Sequence, residues 1–368
     1  MIGPIFNAHN WSAMPFHFWS LSFFVLGCIV GSFLNVCIHR LPLGQSIISP
    51  PSHCPACRYS IPWYLNIPLV TWVWLRGRCR NCGAPIAGRY FLVELLTGLM
   101  FLASWLAFGR QSAALALVYC LFLAGLIAAS FIDFEHFIIP DELTIGGMVT
   151  GLFCSLVLPR LHGRETAMAG LAEGLAGIGI GAGLVYGLLR FGKFLFGRQR
   201  VSLTESTRIF FTETHLCLPD REIPYEELFY RRSDVVVLHA ETVELADRCY
   251  RDVLIRLAPD KLQIGDEELD PEGVPHMEAV SAEIVLPREA MGLGDVKFMA
   301  AIGAFLGWQA VLFSLMVSSI IGSIIGIALI CIRKREWSSR LPYGPYIAVA
   351  ATLWIFCGPR LVDLVFPR

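Results

Sequence analysis

Eight long apolar stretches, at about 16–38, 90–108, 112–132, 143–159, 167–196, 293–308, 310–332 and 343–358, punctuate the chain. Most approach or exceed the ~20 residues that an α-helix needs to cross a hydrocarbon core roughly 30 Å thick, so each is expected to form a transmembrane helix. The two spans on either side of Trp308-Gln309 are joined by a very short turn. The first run has no basic segment ahead of it and no small-residue cleavage site behind it. It therefore reads as a retained span rather than a signal peptide.

Basic residues fall unevenly between these stretches. Arg40, Arg58, Arg76, Arg78, Arg80 and Arg89 lie between the first two, Arg190, Lys193, Arg198 and Arg200 follow the fifth, and Arg333, Lys334, Arg335 and Arg340 follow the seventh. By the positive-inside rule, loops 39–89, 197–291 and 333–342 face the cytosol and both termini lie outside. The glycines of Ile178-Gly179-Ile180-Gly181-Ala182-Gly183 and of Gly322–Gly326 sit within spans and read as close helix packing, not as a phosphate loop.

Residues 200–289 differ in kind. They are too polar to span, and runs at Arg208–Leu218, Asp234–Leu238, Val253–Leu257 and Ala279–Leu286 predict short strands of an inserted soluble domain, mixed α/β or β-rich. The acidic stretch 266–272 reads as a loop. This segment holds 20 of the 30 acidic side chains but only 10 of the 29 basic ones. An acidic domain thus interrupts a basic membrane body, and nothing in the balance points to nucleic acid. At 55% hydrophobic and 16% charged, the chain lies well outside the ~25% charged content of soluble domains.

Of 12 cysteines, four form the pairs Cys54-Pro-Ala-Cys57 and Cys79-Arg-Asn-Cys82. Two such knuckles can supply four thiolates to one tetrahedral Zn2+. The rival, a CxxC redox site, lacks a βαβ context, and cytosolic placement disfavours stable disulfides. Four protein ligands leave no open position, so the ion would staple a small loop rather than activate water. The other eight cysteines read as small buried hydrophobes.

Charged residues at span boundaries are functional candidates. Asp133 closes the third span and Asp295 opens the sixth, both at the expected cytosolic face. Two carboxylates sharing a site split their ionisation, one staying protonated while the other activates water, which is aspartic-peptidase chemistry. Gly292 and Gly294 would let a peptide backbone approach closely. Lys297 is placed to pair with a carboxylate or a lipid phosphate, or to snorkel. Asp141 reads as the N-cap of the fourth span, and Glu135 and His136 as wet interfacial residues.

At this point the sequence resembles the bacterial type IV prepilin peptidases, bifunctional leader peptidase/N-methyltransferases of the GxGD aspartic class. The resemblance rests on Gly31-Ser32-Phe33-Leu34-Asn35-Val36, Arg40-Leu41-Pro42, the two cysteine pairs, Asn66-Ile67-Pro68, Arg76-Gly77-Arg78, Arg89-Tyr90 and Val93-Glu94-Leu95-Leu96-Thr97-Gly98. Ile139-Pro140-Asp141 and Gly292-Leu293-Gly294-Asp295-Val296-Lys297 complete it. It implies an inner-membrane enzyme that cleaves prepilins and pseudopilins after a leader glycine on the cytosolic side. It also implies methylation of the new N-terminus from S-adenosylmethionine. Asp133 and Asp295 then match the catalytic pair, while Asn35, Arg40 and Glu94 are candidates for holding the methyl donor or the prepilin. No Gly-rich methyltransferase fingerprint is visible, and Glu94 is equally open to pairing with a nearby arginine.

The expected architecture is a polytopic α-helical membrane protein of about eight helices. A methyltransferase part (1–132) contains the zinc loop (39–89), and a peptidase part is split into 133–199 and 290–368 around the insert at 200–289. A short loop would be usual at the insert, which is expected to fold as an independent acidic domain that regulates access or binds pilus or secretion machinery. Three alternatives stay open: a peptidase that has lost methyl transfer, a non-enzymatic scaffold, and a proton-coupled transporter. The last is disfavoured by the lack of mid-bilayer charges and of repeat symmetry.

Overall fold

The computed structural model describes residues 16–332 and 341–365, apart from 197, 220, 230–233, 246 and 288–291. The chain divides into two compact units, one of residues 1–185 with 293–368 and the other Tyr186–Gly292.

The first unit is helical. Its long elements are α1 (Phe16–Arg40), α3 (Gly88–Phe108), α4 (Ala113–His136), α5 (Asp141–Val157), the first part of α6 (Ala167–Phe196), α8 (Leu293–Cys331) and α9 (Gly344–Val365), with a short α2 (Val70–Trp74) between the first two. Among the described residues, five helices are long and apolar enough to cross a membrane. The apolar runs account for this directly, because lipid forces every backbone group to find its partner within the segment.

Small residues set the helix contacts. A Cβ on Gly177 would collide with the Gly303 carbonyl oxygen, and one on Gly181 would come within 2.7 Å of that of Met299. The face on which α8 lies is thus Gly174, Gly177 and Gly181; of the run 178–183 only Gly181 is on it, and Gly179 and Gly183 meet nothing within 4 Å. α8 is not one helix. Gly307, with φ 80° and ψ 175°, breaks it into 293–306 and 308–331. That conformation is open essentially to glycine alone. The two halves have different neighbours. Residues 301–304 meet Gly147 and Gly151 of α5, whereas Gly322 and Ser318 meet Tyr346 and Tyr343 at the start of α9. The expected join at Trp308-Gln309 is thus displaced by only a residue or two.

The second unit is built on an antiparallel sheet of eight strands in the order β3-β2-β1-β8-β4-β5-β6-β7. Its strands are β1 (Arg198–Thr212), β2 (His215–Leu218), β3 (Arg221–Pro224), β4 (Val236–Glu244), β5 (Cys249–Ala258), β6 (Lys261–Ile264), β7 (Glu267–Leu269) and β8 (His276–Pro287); α7 (Tyr225–Leu228) adds one helical turn. Alternating side chains such as Ile209, Leu238, Ile255 and Ile284 bury one common face. Buried Asp234 accepts from Lys193 Nζ at 2.6 Å.

Two readings of this segment need correction. Residues 208–218 are a hairpin of two strands rather than one. Residues 266–272 are not a plain loop, because β7 pairs with β6 across the two-residue turn Gly265-Asp266. That turn brings Leu269 opposite Leu262 on the buried face.

Candidate active site and metal centre

The two cysteine pairs form matching knuckles. The Cys54 amide donates to the Tyr59 carbonyl and Arg58 back to Cys54; likewise Cys79 donates to Ala84, and Gly83 back to Cys79. The residue that closes each knuckle is left-handed, with φ 57° at Arg58 and φ 72° at Gly83. The four sulfur atoms lie within 4.8 Å of one another. Cys54 and Cys82 are 3.8 Å apart and Cys57 and Cys79 4.0 Å. Zn–S bonds of about 2.3 Å in a tetrahedron require S···S edges of about 3.8 Å, whereas a disulfide would need about 2.05 Å. The residues therefore fit a zinc ion. The Asn81 amide, 3.6 Å from Cys57 Sγ, is the main cause that pulls this thiol down to about 6, and a thiolate is the form that binds metal.

The remaining cysteines divide. Cys28, Cys37, Cys120 and Cys154 are buried as expected, but Cys249, Cys331 and Cys357 are exposed, so burial does not explain those three.

Asp133 sits one turn before the end of α4, buried, and its Oδ2 accepts the Gly344 amide at 2.8 Å. The carboxylate thereby occupies the N-terminus of α9, where unpaired amides and the helix dipole favour negative charge. This partner carries no local sequence signal beyond Pro345 at the second position of α9, where proline is tolerated.

Asp295 lies half-buried in the first turn of α8. Its neighbours dock on the loop that leaves Asp133. A Cβ on Gly294 would lie 3.6 Å from Ile139, and Lys297 Nζ is 2.6 Å from Asp141 Oδ1. Lys297 thus pairs with a carboxylate instead of snorkelling. Asp141 is not the N-cap of α5: Pro140 holds that position, and Asp141, first in the helix, turns its side chain to Lys297. Gly292 is exposed at the edge of this turn.

The three candidates on α1 and α3 separate. Arg40 is spent on the loop, donating to the Ser46 and Pro50 carbonyls at 2.9 and 2.7 Å. Asn35 donates to the Tyr90 carbonyl at 3.1 Å, while its buried Oδ1 has no partner among the described residues. Glu94 accepts the Leu69 amide, just before α2, at 2.7 Å, and among the described residues no arginine pairs with it. Glu135 and His136 are exposed, as expected of wet residues, and Glu135 also pairs with Arg89, tying α3 to the end of α4 two residues beyond Asp133.

Residues 25–108 match the bacterial peptidase A24 N-terminal domain, and residues 120–199 and 277–327 match the type IV leader peptidase family. Together the two models take in more than half of the chain and stop short of most of the sheet. The chain belongs to the type IV leader peptidase family. A prepilin leader peptidase/N-methyltransferase of Myxococcus xanthus is 46% identical over 167 residues, 44% of this chain and 49% of that protein. One of Aeromonas hydrophila is 28% identical over 368 residues, 93% of this chain and 92% of that one. A type 4 prepilin-like leader peptide-processing enzyme of Escherichia coli is 45% identical over 166 residues, 40% and 61% of the two chains. No solved structure matches.

Proposed function

We infer that the protein is a membrane aspartic endopeptidase that removes the leaders of type IV prepilins and type II secretion pseudopilins after a glycine, with Asp133 and Asp295 as the catalytic pair. It is a leader peptidase and N-methyltransferase by family and by its full-length relatives. The observation that carries the residue assignment is the docking of the Asp295 turn on the 139–141 loop, through Gly294 against Ile139 and Lys297 on Asp141.

In this reading one carboxylate is ionised and takes a proton from water as its oxygen attacks the scissile carbonyl carbon. The other, protonated, gives its proton to the carbonyl oxygen; as the adduct's C–N bond breaks, the first carboxyl passes the water proton to the leaving amine and the second takes its proton back from the re-forming carbonyl. The Gly344 amide fixes Asp133 through Oδ2, which leaves Oδ1 for water. Gly292 and Gly294 keep the approach open to a substrate backbone.

The four cysteines hold a structural zinc that staples loop 39–89. S-adenosylmethionine would supply the methyl group. Asn35, with a buried Oδ1 unpaired among the described residues, and Glu94 are the groups nearest in character to such a ligand's amine and hydroxyls. Arg40 supports this region by holding the loop's first turn.

The helices form a multi-pass bundle in the bacterial inner membrane, with eight crossings if the chain reverses at Gly307. Contacts of both halves of α8 with segments at the Asp133 end support that reversal. The zinc loop and catalytic face are then cytosolic, and the acidic insert is a candidate partner for pilus or secretion machinery. Co-expression with a candidate prepilin, read by intact mass, tests the assignment. The expected product lacks the leader and is heavier by one CH2 at its N-terminus. A processed but unmethylated pilin would reduce the protein to a peptidase, and an unprocessed one would overturn the reading.

A further inference from the structure

Residues 1–93 contain no aspartate or glutamate; the first carboxylate in the chain is Glu94. The zinc loop 39–89 nevertheless carries six arginines. Arg40 is bound to carbonyls and Arg89 to Glu135. Arg58, Arg76, Arg78 and Arg80 are exposed, and among the described residues none of the four joins an ion pair.

The same loop exposes its large apolar side chains. Val70, Val73 and Trp74 of α2 are 60%, 59% and 68% exposed. Their i, i+3, i+4 spacing puts them on one side of the turn. The other side is the one that holds the loop together: Thr71 is buried, and Trp72 stacks near Phe91 at 5.1 Å and donates to the Ile86 carbonyl. Trp63, 82% exposed, packs edge-on against Tyr64 at 6.0 Å.

We propose that the zinc loop is a binding surface for anionic phospholipid, seated on the same bilayer that α1 and α3 cross. Both ends of the loop leave apolar helices, at Arg40 and Gly88, so the surface is tethered at the membrane boundary whatever else it meets. Exposed tryptophan and tyrosine settle at the headgroup level, where ring and polar edge are both satisfied. Arginines beside them meet anionic headgroups, and no carboxylate in the loop opposes that field. Apolar surface of this kind facing water alone would be a liability. The zinc supports the surface by fixing the fold of a loop too small to build a core. The inference is independent of which residues cleave the leader.

The test uses the full chain in nanodiscs of one fixed phosphatidylglycerol/phosphatidylcholine mixture, with bromine carried by one lipid or the other. Subtracting the emission of the Trp63→Phe/Trp74→Phe protein isolates these two side chains. Their emission is expected to be quenched about twofold more by brominated phosphatidylglycerol than by brominated phosphatidylcholine at equal mole fraction. In the variant with Arg58, Arg76, Arg78 and Arg80 all changed to Gln, that preference is expected to vanish while zinc content stays at one per chain. Absence of quenching by either lipid would overturn the proposal. So would equal quenching by both that the arginine changes leave untouched, since the seating would then be apolar only. A benzophenone amino acid at position 63 gives a second reading: lipid adducts support the proposal, and adducts only with added prepilin contradict it.

Discussion

Gly344 donates its backbone amide to Asp133 Oδ2 at 2.8 Å, across 211 residues of sequence. A carboxylate from the end of α4 thereby caps the start of α9. One interaction orients the proposed catalytic oxygen and joins the last helix to the bundle. A Cβ at position 344 would sit 2.9 Å from that Oδ2. Gly344→Ala is therefore expected to displace the carboxylate and lower kcat for leader cleavage by ~10–100-fold, in line with the cost of a 1 Å misplacement. KM and zinc content should change little. Cleavage at the wild-type rate would show that this hydrogen bond does not position Asp133.

The pair Lys297–Asp141 holds the Asp295 turn against the 139–141 loop. Both side chains are partly exposed, so the pair adds little to global stability, about 0.2–1 kcal/mol at most. Its expected effect is positional. Lys297→Met and Asp141→Asn should each slow cleavage several-fold, about 3–10-fold. The double variant should be no worse than the worse single one, because both remove the same contact. Additive losses in single-turnover cleavage would mean that the two residues act separately.

Metal removal separates the two halves of the chain. Cys57→Ser, or exhaustive chelation, should abolish bound zinc and open loop 39–89 to proteolysis, because three thiolates and no core cannot hold the knuckles. Methyl transfer is expected to fall more steeply than cleavage, since Asp133 and Asp295 lie outside the zinc loop. Metal analysis together with intact pilin mass checks both. Loss of cleavage with methylation spared would reverse the assignment of parts.

At the far end of the first part of α8, Ser155 Oγ lies 2.7 Å from His162 Nε2 and donates to the Ala304 carbonyl at 3.0 Å, a group left near the break at Gly307. Burial, the largest cause, lowers the pKa of His162 from its usual range. A histidine held neutral in the folded state takes up its proton more readily when unfolded. Stability is then present above about pH 6.5 and is lost as pH falls from there toward the folded value. The melting temperature of the purified protein should drop between pH 7.5 and 5.5, and His162→Gln should flatten that slope at some cost in stability at pH 7.5. An unchanged slope would remove His162 from the account.

The membrane helices were legible because lipid leaves few options: each apolar run is a helix, and the run 167–196 coincides with α6. The break in α8 was legible too, although the residue responsible is Gly307, whose left-handed backbone the apolar pattern does not announce. In the sheet, β4, β5 and β8 followed from their alternation. β7 did not, because Glu267 and Glu268 look like a solvated loop until the Gly265-Asp266 turn pairs them with β6. The site was half legible. Position at helix ends singled out Asp133 and Asp295 as candidates, and CxxC spacing the four cysteines, whose sulfur atoms the fold brings together. The partners Gly344, Glu135 and the Leu69 amide were hidden, because each is a long-range contact made by a residue that carries no distinctive local pattern.

The central claim is that Asp133 and Asp295 together carry out cleavage. Asp133→Asn and Asp295→Asn are close to isosteric, so each should fold and keep its zinc. Intact-mass measurement of a co-expressed prepilin is expected to find only the uncleaved precursor with either variant, against full processing by the wild-type protein. Processing by either variant at a rate near wild type would contradict the assignment of the pair.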